Sequence, residues 1–217
     1  LQREVLSELV TEAEGQANDW ILAKLQQLSL DLGEDGSWNF LDRCAKHAGA
    51  IAIVPEDNGA LIFARYLVGE TETGPIAEIL EGQCGDDMID RNMLLALADC
   101  NRQWNTKTGL DRAEKIAAWL TASAADRVNL LEELHSCWAT KEGELSKQAP
   151  KNIDAYETLA LAALQWCRRL LERREMLKYA DRLASALLVG KAYSTRYVAA
   201  KHAQGLVDFD DLIEKTA

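Results

Sequence analysis

Apolar side chains recur every three or four residues along most of this 217-residue chain, which is the spacing of helices that bury one face. Only 3 prolines and 13 glycines are present, and this scarcity of turn residues argues against a many-stranded sandwich or barrel. The pattern predicts an all-α fold, a single multi-helix domain over residues 1–217 with orthogonal or bundle-like packing. The apolar positions place helices at residues 5–13, 20–28, 40–48, 61–67, 76–80, 89–98, 116–120 and 128–138.

Three segments between these helices carry signals of their own. Residues 34–36 (Glu-Asp-Gly) predict a turn, after which Ser37 is expected to cap the next helix. Residues 50–54 form an apolar run before a proline, and both a short strand and the tail of a helix remain open there. Over residues 140–150 the helical period stops, so an extended or irregular loop is expected.

The last third of the chain predicts one long C-terminal helix. The helical period runs from about Ile153 to Ala203 with no proline and with Gly190 as its one glycine. Because such a length exceeds that of most globular helices, we expect a bend or break near Gly190. A packing seam along this helix is formed by Leu170, Leu177, Ala180, Ala184 and Leu187.

Charge is distributed unevenly along the chain. The formal net charge is -11 at pH 7, which by itself argues against a general nucleic-acid binder. Residues 165–204, however, carry nine basic and three acidic side chains, whereas residues 1–150 carry 13 basic and 26 acidic ones. Two interpretations stay open: the basic helix forms ion pairs with the acidic remainder, or it presents a ridge to phosphates.

Five widely spaced cysteines without a C-x-x-C pair favour reduced, mostly buried thiols and a cytoplasmic protein. No apolar run approaches the roughly 20 residues of a membrane span, so no membrane partner is expected. The chain begins with Leu1 rather than Met, and we expect it to be a piece of a larger protein.

The sequence lacks the patterns of a catalytic or cofactor site. Neither G-x-x-x-x-G-K-[ST] nor G-x-G-x-x-G occurs, so no phosphate-binding loop is expected. Cys44 with His47, and His135 with Cys137, lack the second ligand pair of a metal site. The acidic residues at 208–211 fit the first turn of a helix better than a two-metal site. We therefore expect no catalytic residue and no metal, and the six tryptophans are expected to pack in the core, with base stacking as the alternative.

The end of the chain resembles a signature of a known superfamily. Tyr197 and Lys201 are followed by Gly205, and then by the run Asp208-Phe209-Asp210-Asp211-Leu212-Ile213. Together they resemble the Y-x-x-x-K-x-x-x-G-L-x-D-F-D-D-L-I signature of UvrD/RecB-like superfamily 1 DNA helicases. In that superfamily the segment marks the return from an inserted helical subdomain, called 1B, into the first RecA-like domain. Residues 205–217 are expected to begin that return.

A second stretch of the chain resembles one particular type of protein within this superfamily. Residues 138–144 (Trp-Ala-Thr-Lys-Glu-Gly-Glu) with Lys147 are similar to the F-L-T-K-x-G-E-x-R-K run of the AddA-type helicase–nuclease subunits of alphaproteobacteria. The chain departs from that run at Trp138 and Ala139, which replace Phe-Leu, and before Lys147, where the family usually has a basic residue. Residues 111–127 lie where the family has a similar helix pair.

The resemblance implies the accessory 1B domain of an ATP-dependent DNA helicase and exonuclease that acts in double-strand-break repair and recombination. ATP and Mg would serve the parent protein, with no cofactor in this fragment. The implied partners are forked or duplex DNA, bound without sequence specificity, and an AddB-type subunit. The alternative is an acidic helical module that only docks a partner subunit. The expected DNA contacts are Arg168, Arg169, Arg173, Arg174 and Lys178 on the long helix, and Lys141 and Lys147 on the loop.

Overall fold

The structure, a computed structural model, describes residues 1–15, 19–88, 90–150 and 155–206 and confirms the all-α prediction. This part of the chain contains no strand, only an isolated antiparallel bridge between Ala139 and Leu145, and a 3-10 helix at Asp86–Met88. The α-helices are α1 (Gln2–Gly15), α2 (Asp19–Lys46), α3 (Ala48–Ala52), α4 (Asn58–Leu67), α5 (Ile76–Gln83), α6 (Arg91–Trp104), α7 (Lys107–Thr121), α8 (Ala124–Asn129), α9 (Leu131–Ser136) and α10 (Tyr156–Ala203).

The chain divides into two compact units. Unit 1 consists of Leu1–Thr73 with Lys178–Ala217, and unit 2 consists of Gly74–Leu177. Helix α10 therefore contributes its N-terminal part, residues 156–177, to unit 2 and its C-terminal part, residues 178–203, to unit 1. The single domain expected over the whole chain stays a prediction.

Unit 1 buries two groups of apolar side chains against the C-terminal part of α10. Leu9 of α1 and Leu41 of α2 belong to the same buried group as Tyr193 of α10. The second group joins Ala64 of α4 and Ala184 of α10. Removing this apolar surface from water is the main term that stabilises the unit.

The break in the helix predicted at residues 34–36 lies at Gly33 instead, and the helix cap predicted at Ser37 is wrong. Helix α2 consists of two helical segments that meet at a kink at Gly33, whose φ of 71° and ψ of 175° are not helical. Glycine reaches this positive φ without a steric penalty. Ser37 is buried inside α2, and its hydroxyl lies 3.2 Å from the carbonyl oxygen of Leu28 and 2.7 Å from that of Gly33. The kink at Gly33 thus takes the place of the predicted turn.

Residues 48–52 form helix α3. Of the two structures left open for the apolar run at residues 50–54, the tail of a helix is therefore the one that forms.

Unit 2 is built around α6 and α7, which pack against each other and against the N-terminal part of α10. Its fully buried side chains include Leu97 of α6, Ile116 and Trp119 of α7, and Cys167 of α10. The helix predicted over residues 128–138 is instead two short helices, α8 and α9, which meet at Leu130. Both helices are too short to be stable alone and depend on this packing.

Helix α10 runs uninterrupted through Gly190, in place of the predicted bend or break. The lack of a side chain at Gly190 allows a close contact between α10 and α2 instead. A Cβ atom at residue 190 would lie 2.6 Å from the Cys44 sulfur and 3.2 Å from Cε1 of Phe40. Helices α2 and α10 can approach this closely in unit 1 because residue 190 has no side chain.

Replacing Gly190 by Ala is expected to destabilise the protein by about 1–3 kcal/mol, because overpacking outweighs the higher helix propensity of alanine. Urea unfolding followed by circular dichroism measures the change. Adding Cys44→Ala makes room for the new methyl group, so the double variant should regain stability relative to Gly190→Ala. A Gly190→Ala variant as stable as the unaltered protein would contradict the close contact.

Candidate nucleic-acid interface

The loop after α9, predicted as extended or irregular, begins with a hydrogen-bonded turn at residues 140–144. The backbone N–H of Gly143 donates to the carbonyl of Thr140 at 3.0 Å, and that of Thr140 donates to the carbonyl of Glu144 at 2.7 Å. The N–H of Glu144 donates in turn to the Thr140 hydroxyl at 3.2 Å. Gly143 has a φ of 82°, which favours glycine. In the T-K-x-G-E run, threonine and glycine therefore build the turn, while Lys141 and Glu142 are exposed.

Two arginines fix this loop to neighbouring helices. Arg168 of α10 donates a hydrogen bond to the carbonyl oxygen of Gly143. Arg112 of α7 is buried and donates to the carbonyl of Gln148 at 2.6 Å and to the Ser146 hydroxyl at 3.2 Å. The loop is thereby held at its tip and near its end. Lys141 is two residues before Gly143, whose carbonyl makes the contact with α10.

The basic residues in the N-terminal part of α10 differ in their surroundings. Arg174 pairs with Glu132 of α9, and its side chain is only 18% exposed. Arg169, by contrast, is exposed and makes no ion pair or hydrogen bond with any residue that the structure describes. The same holds, within the described ranges, for Lys141 and Lys147 of the loop. Unit 2 therefore presents these three cations to solvent.

Two further predicted DNA contacts are placed differently. Arg173 is half-buried in unit 2, whereas Lys178 is exposed and belongs to unit 1. Both side chains also interact with other residues of the chain. A DNA contact by Arg173 or Lys178 stays a prediction.

In the C-terminal part of α10, basic residues pair with acidic residues of the first helices and loops of unit 1. These contacts confirm the ion-pairing interpretation for this part of the helix. Exposed pairs of this kind contribute little stability each, about 0–1 kcal/mol. The pairs are Arg182 with Asp31 at 3.7 Å, Lys191 with Glu56 at 3.6 Å and Arg196 with Glu12 at 2.5 Å.

The described part of the helicase-like signature has structural explanations. Tyr197 stacks on Tyr193 with ring centroids 6.2 Å apart, and the Lys201 side chain is buried. Gly205 has a φ of 66°, and its N–H donates to the carbonyl of His202, while the N–H of Leu206 donates to that of Lys201. This pair of bonds is the Schellman cap of a helix C-terminus. The signature residues Asp208, Phe209, Asp210 and Asp211 lie outside the described residues.

Arg127 ends the stretch that resembles the family's helix pair, but the sequence indicated no role for it; in the structure it is buried in unit 2. Its buried guanidinium donates to the carbonyls of Trp119, Leu120 and Cys84 at 3.0–3.1 Å and lies 4.9 Å from the Trp119 ring centroid. It also pairs with Asp86 at 2.8 Å, and this hydrogen bond lowers the pKa of that carboxyl. Arg127 thus joins the ends of three segments.

Arg112 could have been recognised from its position along α7. It lies four residues before Ile116 and seven before Trp119, on the apolar stripe of that helix. An arginine on such a stripe is buried only where its N–H groups find acceptors. The position of Arg112 on the apolar stripe therefore predicts that its side chain is buried and hydrogen-bonded. It does not identify the carbonyl of Gln148 as the acceptor.

Burial favours the neutral forms of two titratable side chains at the end of α9, His135 and Cys137. Burial raises the pKa of the Cys137 thiol to about 12. Burial also lowers the pKa of His135, and the positive charge of Arg168 lowers it further. All five cysteines are free, and all except the half-buried Cys100 are buried.

A metal site and a membrane-spanning helix are both absent from the described ranges. No group of three or more His, Cys, Asp or Glu side chains there could hold a metal ion. Nor does any helix in those ranges combine the length and apolar character needed to span a membrane.

Comparison with known proteins finds no matching family model, no matching curated protein and no matching solved structure. The resemblance to AddA-type subunits accordingly rests on the sequence motifs alone. What the described residues show by themselves is a loop with two exposed lysines, fixed by arginines to α7 and α10.

Replacing Arg127 by Ala is expected to destabilise the protein by about 3 kcal/mol, because three buried carbonyl groups lose their donor. Urea unfolding followed by tryptophan fluorescence measures the loss. Arg102→Ala is the matched control, since Arg102 is 51% exposed and pairs with Asp99 on its own helix. That control should cost less than about 1 kcal/mol. Equal losses in the two variants would contradict a central role for Arg127.

Proposed function

We propose that this chain is the accessory 1B-type helical domain of an ATP-dependent, AddA-like DNA helicase and exonuclease acting in double-strand-break repair. Its own task is to contact forked or duplex DNA through the backbone and to position the duplex. ATP hydrolysis belongs to parts of the parent protein outside this chain. The observation that supports the proposal most directly is the Arg168–Gly143 hydrogen bond, which holds the lysine-bearing loop against the basic part of α10.

Contacts with phosphate require cations that reach solvent and are not already neutralised. Lys141 and Arg169 meet both conditions among the described residues, and each lies within two residues of the Arg168–Gly143 bond. Cations of this kind hold a duplex in place without discriminating between base sequences. Because they displace counterions from DNA, the affinity falls as salt rises.

Acidic side chains weaken the attraction of Lys141 and Arg169 for DNA phosphates. Glu142 and Glu144 are exposed on the same loop, and the whole chain carries a net charge of -11. We therefore expect weak binding that is measurable at low ionic strength. In the parent protein, DNA would be held mainly elsewhere, and this surface would guide it.

Fluorescence anisotropy with a tailed duplex, titrated at several salt concentrations, tests the proposal. The unaltered chain should bind, with an affinity that falls as salt rises. The double variant Lys141→Gln/Arg169→Gln should bind more weakly, because two cations no longer reach phosphates. The slope of log K against log[salt] should accordingly decrease by about 2, one for each of these cations.

The matched control removes two exposed cations from other surfaces, Arg43→Gln and Lys107→Gln, and so has the same net charge. It should retain nearly all of the binding. Equal weakening in the two double variants would show that only net charge matters, and absence of binding at low salt would refute the DNA contact.

A second candidate function, docking of a partner subunit, is favoured by exposed apolar residues on α4. Ile62, Tyr66 and Leu67 are 53%, 75% and 56% exposed, and Ile53 of the preceding segment is 70% exposed. Ile62 and Tyr66 are four residues apart and so lie on the same side of the helix. Such neighbouring apolar side chains often mark protein–protein contacts. The partner proposed here is the AddB-type subunit.

Affinity capture of purified AddB-type subunit on the immobilised chain tests docking. Ile62→Ser/Tyr66→Ser should reduce capture about tenfold or more, since buried apolar and aromatic anchors dominate interface energies. Leu30→Ser is the control, because Leu30 is 81% exposed on α2. If the α4 variant captures as much partner as the control, this surface does not dock it.

A further inference from the structure

Unit 1 has an apolar groove of about 390 Å³ where α2, α3, α4 and the C-terminal part of α10 meet. Phe40 of α2, Phe63 of α4 and Leu187 of α10 line it, and each is half-buried. Ile53, another lining residue, is 70% exposed. Because solvent reaches these apolar side chains, a second molecule can contact them directly.

The side of α2 next to this groove is acidic at one end and basic at the other. Asp35, Asn39 and Arg43 follow one another at intervals of four residues, within the helical segment after the Gly33 kink, and so lie on one side of the helix. We call these three residues the α2 stripe. Arg43 is the member of the stripe that lines the groove, and no carboxylate is found among the described residues of that lining.

The side chains of the α2 stripe are available for a contact with another molecule. All three are exposed, and none makes an ion pair or a hydrogen bond with any residue that the structure describes. Asp42 and Lys46, on the same segment, pair with each other at 2.6 Å. They therefore leave the opposite charges at the two ends of the stripe unneutralised.

Such a stripe is complementary to a second copy of itself. If two copies of α2 lie antiparallel about a two-fold axis at Asn39, Asp35 of each copy faces Arg43 of the other, since both are four residues from the axis. Two ion pairs then form, and the two Asn39 amides, which carry both donors and acceptors, face each other. A parallel arrangement would instead place like charges opposite each other, which is unfavourable.

We propose that the α2 stripe and the adjoining groove bind a second copy of this chain in a two-fold dimer. Arg43 lines the groove and faces Asp35 of the second copy, so the residues around that Asp35 cover the groove. Leu32 lies three residues before Asp35 and is 48% exposed, and it supplies an apolar side chain to the groove of the other copy. A second copy is the occupant because the chain itself carries both halves of the complementary charge pattern.

This inference does not rest on the proposed function. Lys141 and Arg169, assigned to DNA, belong to unit 2, and Ile62 and Tyr66, assigned to the partner subunit, do not line the groove. A chain that stays monomeric would leave the DNA contact standing, and absence of DNA binding would leave the dimer standing.

Analytical ultracentrifugation of the 217-residue chain, from micromolar to millimolar concentration at low ionic strength, measures the association. A reducing agent prevents disulfides between copies. One pair of helices is a small contact, so we expect dissociation constants in the micromolar range or above. Because a two-fold contact is closed, the mass should level off at two chains. A mass that stays at one chain, or that rises beyond two, would overturn the proposal.

Charge reversal tests the antiparallel pairing. Asp35→Arg and Arg43→Asp should each weaken the dimer about tenfold or more, because two attractive pairs become repulsive. A mixture of these two variants should associate again, since each Arg then faces an Asp. Arg3→Asp is the control for net charge, because Arg3 is exposed on α1 and should not affect the dimer. Circular dichroism checks that every variant is folded. A mixture that associates no better than its components would overturn the pairing.

Two further variants test the groove from its two sides. Ile53→Ser alters its lining and Leu32→Ser alters the side chain that enters it, and each should weaken the dimer several-fold. Leu110→Ser, which is 43% exposed on α7 of unit 2, is the control and should have no effect. A dimer as tight in Ile53→Ser and Leu32→Ser as in this control would overturn the role of the groove.

Discussion

Helix α10 is shared by the cores of both units, and this sharing constrains the rest of the structure. Its N-terminal part places Ala163 and Cys167 in the core of unit 2, and its C-terminal part places Val189 and Tyr193 in a core of unit 1. In each set the two residues are four positions apart and so lie on the same side of the helix. Both halves of α10 are therefore stabilised by packing within their own unit.

The same helix uses its basic residues in two ways. In unit 1 they pair with carboxylates of the first helices and loops, which explains much of the charge segregation without any ligand. In unit 2, Arg168 binds a loop carbonyl and Arg174 binds a glutamate, while Arg169 stays exposed. A row of arginines in a sequence therefore does not define a binding surface by itself. Here only the members left without internal partners are suited to phosphate.

Periodicity was sufficient to predict the helical fold and the long C-terminal helix, because both follow from local spacing of apolar residues. It failed where a residue's role depends on a distant neighbour. A glycine within a helical pattern predicts a break, yet at residue 190 the missing side chain makes room for Cys44 and Phe40. Arg112 and Arg127 bind carbonyls up to 43 residues away, and no local pattern identifies those acceptors.

Hydrogen–deuterium exchange of the chain with and without a tailed duplex tests the central claim most directly. The account predicts slower exchange in residues 139–147 and in 165–175 when DNA is bound, with α4 unchanged. Protection confined to α4, or no protection anywhere under conditions where binding is saturated, would contradict a DNA contact through the loop and α10.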